Sequence, residues 1–173
     1  MTSPCTVSIR LAGEHDTTAL ATLRRAWSEE QAGHPLDDDD FEECFAQWYA
    51  AEAPRRAAFV AELGGKAIGM MNLALFERMP KPGRPASRWA YLGNAFVLAD
   101  HRNRGIGTAL LDATVAYARA RNCARIVLSP SERSVRFYQR AGFGPATMLL
   151  AHVLDTSTTA NGRSLQTPTD VNH

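Results

Sequence analysis

Arg102-Asn103-Arg104-Gly105-Ile106-Gly107 stands between an apolar run, Tyr91 to Leu98, and an amphipathic run that begins at Thr108. The order reads as a strand, a glycine turn and a helix start. A helix N-terminus leaves its first backbone N–H groups without intrahelical partners, and glycines let an anion approach them closely. Phosphate or pyrophosphate is the expected guest. Downstream, Phe137-Tyr138-Gln139-Arg140-Ala141-Gly142-Phe143 closes another helix with an aromatic pair and uses Gly142 to turn into the next segment. The two stretches together point to a cofactor and a proton donor.

Around this turn, Trp89 to Leu98 is apolar enough for a central strand, and Gly105 to Arg121 predicts a long helix with Ile106, Leu110, Ala113 and Tyr117 as its buried stripe. Ala124 to Leu128 follows as a strand. Strand, helix and strand then have the length of one right-handed crossover between parallel strands, and ligands in such sheets sit at the strands' carboxyl ends. Pro130-Ser131 opens a further helix to Ala141, and Phe143 to Leu154 supplies one or two final strands.

Upstream, Val7 to Leu11 alternates with period two and reads as the first strand. Asp16 is placed to cap a helix over Thr17 to Gln31 with Leu20, Leu23 and Trp27 at helical spacing, stopped by Gly33-His34-Pro35. Asp37 to Asp40 begin a second helix carrying Phe41, Phe45 and Trp48 on one stripe, and carboxylates are favoured at such N-termini. Arg56 to Leu63, Gly64-Gly65 and Lys66 to Arg78 predict a β-hairpin. Met79 to Ser87, with three prolines and Gly83, is a surface loop.

The chain has 173 residues, 45% of them hydrophobic, which fits one globular domain. No apolar run reaches about 18 residues and the N-terminus lacks a basic-then-apolar leader pattern, so a cytoplasmic protein that does not enter membranes is expected. The three cysteines, Cys5, Cys44 and Cys123, are widely spaced and form no metal-ligand pattern with the histidines, so no metal is expected. Net charge is only +1, yet the charge is segregated. Residues 1–52 carry 3 Arg against 11 Asp or Glu, whereas residues 101–150 carry 8 Arg against Asp112 and Glu132 alone. Arginine concentrated around the glycine turn suits a phosphate-rich ligand. Nucleic acid is disfavoured, because the whole chain is nearly neutral and its basic residues are not interleaved with exposed aromatics.

Taken together, these residues resemble the GCN5-related N-acetyltransferase superfamily over most of residues 6 to 154. The family's acyl-CoA signature, Gln or Arg, two variable residues, Gly, one variable residue, then Gly or Ala, is met by Arg102, Gly105 and Gly107. The resemblance implies a mixed α/β fold, with a mostly antiparallel central sheet of six to seven strands, a splayed parallel pair and about four flanking helices. It implies an acetyltransferase domain over residues 1–154 and a polar, flexible tail over 155–173. Acetyl-CoA is the implied co-substrate, with no metal. Backbone amides from Arg102, Asn103, Arg104, Gly105, Ile106, Gly107 and Thr108 would cradle its pyrophosphate, with the Arg102 and Arg104 side chains adding charge. Ala95, Phe96 and Val97 would bind the pantetheine arm through their backbone, the Ala95 amide serving as oxyanion donor. Tyr138 would protonate the leaving thiolate as general acid.

Two positions depart from the family. Ser131 stands where many members carry a helix-capping Asn that touches the cofactor, and Tyr91 stands where some carry a glutamate general base. Deprotonation of the acceptor then falls to an ordered water, to a carboxylate such as Glu77, or to an amine that arrives neutral; His101 and His34 are poorly placed. The resemblance implies a primary amine on a small molecule or peptide as acceptor, bound where the first two helices wall the site. Their acidic residues Asp37 to Asp40, Glu42 and Glu43 would draw a cationic one. Homodimers are common in the family, and the sequence leaves that question open. A non-catalytic acyl-CoA-binding sensor or partner-binding module of the same fold is the competing reading, opposed by the retained Tyr138. A nucleotide-binding enzyme of another kind is opposed by the missing third glycine and the missing Lys-Ser or Lys-Thr pair.

Overall fold

The computed structural model describes residues 6–147 and 149–152. Within them, β1 (Ser8–Leu11), β2 (Arg56–Leu63), β3 (Lys66–Glu77), β4 (Arg88–Val97) and β5 (Cys123–Leu128) form one sheet in sequential order. The first four strands pair antiparallel, and β4 pairs with β5 in parallel. Between β1 and β2 lie α1 (Thr17–Ala32) and α2 (Phe41–Glu52); α3 (Ile106–Ala120) makes the crossover from β4 to β5, and α4 (Val135–Arg140) follows.

Alternation along the strands explains the two-sided burial. Ala57, Phe59 and Ala61 of β2 pack into the cluster that contains Ile106, Leu110 and Leu111 of α3, whereas Ala58 and Val60 join Leu20 and Leu23 of α1. The buried face of α3 is Ile106, Leu110, Leu111, Thr114 and Ala118, so the expected stripe is rotated: Ala113 and Tyr117 are only half-buried at its margin.

The sheet has five strands among the described residues, fewer than the six to seven expected. No strand forms over residues 143–147 or 149–152, and Val153 and Leu154 lie outside the described residues. Gly144-Pro145 follows Phe143 at once, and proline has no N–H to extend a ladder. Residues to Phe143 form one compact unit and a second begins at Gly144, where Leu149 N–H donates to Ala146 O at 3.1 Å. The expected tail, 155–173, is outside the described residues.

Helix starts also differ from expectation. Asp16 precedes α1, but its carboxylate faces backward, accepting the Gly13 N–H at 2.7 Å and both Arg10 guanidinium nitrogens at 2.7 Å. It closes the turn before the helix and ties that turn to β1. Asp40 precedes α2 without a side-chain cap bond, and Asp37 to Asp40 are all exposed. The connection is instead held by Arg25, which donates to the carbonyls of Leu36 and Asp38.

Candidate active site

The site begins where β4 parts from β5. Their parallel register runs to Leu92 opposite Leu128, where β5 ends, so Gly93 to Val97 keep β3 as their strand partner on one side only. The other edge of β4 presents backbone groups to an opening. At this point β4 also carries one extra residue: Met70 pairs Phe96 while Asn72 pairs Gly93, and Asn94 adopts φ 52°. Such a bulge reverses the side-chain phase and re-aims the backbone. Ala90 and Leu92 accordingly pack on the α3 side, whereas Phe96 joins the α1 side and stacks near Trp27. Ala95 sits directly after the bulge.

Close approach of β3, β4 and α3 depends on Gly69. A Cβ there would lie 3.1 Å from Phe96 O, 3.2 Å from Val97 Cγ2 and 3.3 Å from Leu110 Cδ1.

From Val97 the chain passes through a 3-10 turn, Ala99–His101, into the glycine turn. Asn103 and Gly105 take left-handed φ of 59° and 79°; asparagine tolerates that region, and glycine enters it freely. Ala109 N–H is the first to reach back, to Gly105 O at 3.0 Å, and among the described residues the amides of Asn103 to Thr108 find no backbone carbonyl. Six amides at and just before the positive end of a fifteen-residue helix are therefore left without backbone partners, an arrangement that favours an anion. Gly107 is helical, and a Cβ there would meet only Phe137 of α4, at an ordinary 3.7 Å. Packing within the protein thus does not demand glycine at 107.

The Arg102 guanidinium is turned away from these amides. It donates to Val97 O at 2.8 Å, pairs with Glu30 of α1 at 2.5 Å and lies over the Phe96 ring. That hydrogen bond holds the Glu30 carboxyl below its usual range, with Arg133 nearby adding to the effect. Arg102 therefore fixes the turn to the end of β4 and to α1, and its charge is met by Glu30. Arg104 is exposed. Ser131 precedes a 3-10 turn without a side-chain cap bond; its hydroxyl lies 3.0 Å from that of Ser134.

Tyr138 is 7% exposed, its ring edge-on to Phe137 at 4.9 Å and to Phe143 at 5.7 Å. Its hydroxyl has no hydrogen-bond partner among the described residues. Burial first, and the nearby Tyr91 phenol second, raise its pKa above the ordinary tyrosine value. The phenol is therefore protonated at neutral pH and suited to donate. Tyr91 leans along β4 toward the opening, its ring 3.3 Å from where a Gly93 Cβ would stand.

Glu77 is not a partner for this chemistry. It is exposed, paired with Arg88 at 2.8 Å, and stands on β3 beyond Leu73, about 20 Å along the ladder from the bulge at 3.4 Å per residue. His34 is exposed, with Nδ1 2.7 Å from Pro35 O. The Nδ1 of His101 is buried without a partner among the described residues, on the turn side of β4.

Sequence reading alone missed Asn94, and treated Tyr91 only as a missing carboxylate. The Gly93-Asn94 pair inside a strand was the available signal, because such pairs mark bulges. Among the described residues no group of three or more His, Cys, Asp or Glu is placed to hold a metal, and no helix is long and apolar enough to cross a membrane.

A mixed five-stranded sheet whose parallel pair opens beside a bulge and a glycine-turn helix defines a GNAT-like architecture. Residues 20–143 match the Acetyltransferase (GNAT) family, and the chain belongs to that family. It is 26% identical over 98 residues to a glucosamine 6-phosphate N-acetyltransferase of Trypanosoma brucei brucei; the match takes in 54% of this chain and 65% of that relative's length. The structure resembles a GCN5-related N-acetyltransferase of Ralstonia eutropha JMP134, with TM-score 0.66, 25% identity and coverage of 86% and 99% of the two chains. It also resembles a predicted acetyltransferase of Clostridium acetobutylicum crystallised with acetyl-CoA, with TM-score 0.69, 22% identity and coverage of 86% and 97%.

Proposed function

We propose that this chain transfers the acetyl group of acetyl-CoA to a primary amine of a small molecule or peptide, by direct attack within a ternary complex. The observation that carries the reading is the opening of β4 from β5 beyond Leu92, flanked by the unpaired amides of Asn103 to Thr108 and by the protonated Tyr138. The turn amides of residues 102–108 hold the diphosphate, and the backbone of Ala95, Phe96 and Val97 holds the pantetheine arm as a neighbouring strand would. Ser131, at the start of the segment leading to α4, would add a hydroxyl contact to the cofactor.

As the amine nitrogen forms its bond to the thioester carbon, the Ala95 N–H donates to the carbonyl oxygen that gains charge. When the carbon–sulfur bond breaks, Tyr138 gives its proton to the departing sulfur, yielding CoA thiol and the N-acetyl product. The proton released by the amine passes to water and returns the phenol to its neutral form. With Tyr91 at the position of the family's glutamate, no carboxylate of β4 takes part, so the reactive acceptor is the neutral amine.

Thiol release from acetyl-CoA across a panel of primary amines tests this reading. Amine-dependent release with matching N-acetyl product is expected. Binding of acetyl-CoA without release for any amine contradicts it and favours a sensor.

A further inference from the structure

One carboxylate of α1 reaches the cofactor turn. Glu30, in the last turn of that helix, accepts from Arg102 Nη2 at 2.5 Å, while Nε of the same guanidinium donates to Val97 O at 2.8 Å. The guanidinium also lies over the Phe96 ring at 5.5 Å, and Trp27 stacks near that ring at 6.1 Å. Trp27 and Glu30 are three residues apart and so share one helix face, from which α1 touches both the end of β4 and the start of the glycine turn. We propose that Glu30 is a positioning residue for acetyl-CoA: by locking Arg102 it holds the turn in the shape its unpaired amides need to bind the diphosphate. The proposal rests on the acetyl-transfer reading above and adds the residue that keeps its cofactor site formed.

Little else ties residues 102–105 to the rest of the chain. Asn103 and Gly105 stand at left-handed φ, and the amides of Asn103 to Thr108 find no backbone carbonyl among the described residues. The side chains of Asn103 and Arg104 make no hydrogen bond there either. Arg102 is thus the side chain that fastens the turn to other elements. A loosely tied turn loses conformational freedom when an anion orders it, and an anchor made beforehand removes that cost from binding. The bond to Val97 O fixes one edge of the guanidinium and the bond to Glu30 fixes another, so the planar fork is held at two points.

Other roles for this carboxylate fit less well. Helix stability does not explain it, because a negative charge in a C-terminal turn opposes the helix dipole. The pair's own strength does not explain it, because with Arg102 28% and Glu30 37% exposed it adds little to folding. A pure charge effect would have the opposite sign. Glu30 lies near Arg133 as well as Arg102, so deleting its charge leaves both cations uncompensated, which by charge alone would tighten the binding of an anion.

Calorimetric titration of acetyl-CoA into the parent, Glu30→Ala, Arg102→Ala and the double variant tests the proposal. In Glu30→Ala the acetyl-CoA Kd is expected to rise about fivefold, while kcat at saturating acetyl-CoA stays within about twofold of the parent. The melting temperature of the free variant should stay within about 2 °C, which separates binding from folding. Because Glu30 acts through Arg102, adding Glu30→Ala to Arg102→Ala should weaken binding no further. Glu30→Gln, which keeps an acceptor for Nη2 without the charge, should recover part of the affinity. Tighter or unchanged binding in Glu30→Ala, or a loss that persists in full on the Arg102→Ala background, overturns this proposal and leaves acetyl transfer standing. A parent without affinity for acetyl-CoA overturns both.

Discussion

In the proposed reaction two residues would carry the chemistry in different ways. Tyr138 would act through its phenol, whose pKa burial raises above the ordinary tyrosine value. Tyr138→Phe keeps the ring contacts with Phe137 and Phe143 and removes only the donor, so kcat is expected to fall about 100-fold or more with the acetyl-CoA KM little changed. The pH profile carries a sign. Because the pKa is raised, the acid form persists as pH rises, and kcat should increase or stay level until the pH has passed the ordinary tyrosine range, where the donor is lost. The phenylalanine variant should lack that alkaline decline; a decline beginning near neutrality in the parent would contradict the assignment. Ala95 would act only through its backbone, so its side chain should be open to substitution as long as the bulge at Asn94 survives.

At the scale of elements, the site depends on how tightly β3, β4 and α3 meet at Gly69. Gly69→Ala places a methyl against a carbonyl oxygen and two side chains at 3.1–3.3 Å, and is expected to cost about 1–3 kcal/mol in urea unfolding. Stability equal to the parent would show that the three elements yield there. Much of this layer was legible in the sequence, because its signals are local. Gly64-Gly65 marked the β2–β3 hairpin, Gly33 the end of α1, and Gly105 the start of α3. What was not legible depends on residues far apart in the chain. Glu30 takes the Arg102 guanidinium from 72 positions away, and Arg10 takes the Asp16 carboxylate from its capping position. The bulge at Asn94 is defined by its register against β3, so the reversal that sends Phe96 to the opposite face from Leu92 needed the pairing itself.

Across the whole molecule, acidic residues gather in the half that holds α1 and α2, and arginines in the half that holds the glycine turn and α4. Such segregation suits a cationic acceptor near the acidic half and a diphosphate near the arginine-rich half. If the acidic side steers acceptors, kcat/KM for a protonated amine falls as salt rises past about 0.1 M, where the screening length is about 10 Å. An unchanged value would show that the acidic run plays no part in encounter. The central claim, that main-chain N–H groups at the start of α3 grip the CoA diphosphate, meets its most direct test in Gly107→Ala. The helical backbone and the open 3.7 Å contact with Phe137 leave room for the methyl, and alanine favours the helix by up to about 1 kcal/mol. Calorimetric titration with acetyl-CoA, alongside the melting temperature of the free protein, separates folding from binding. The account predicts a variant at least as stable as the parent that binds acetyl-CoA about tenfold or more weakly, a loss of about 1.4 kcal/mol. Undiminished affinity in the variant, or no affinity in the parent, would contradict it.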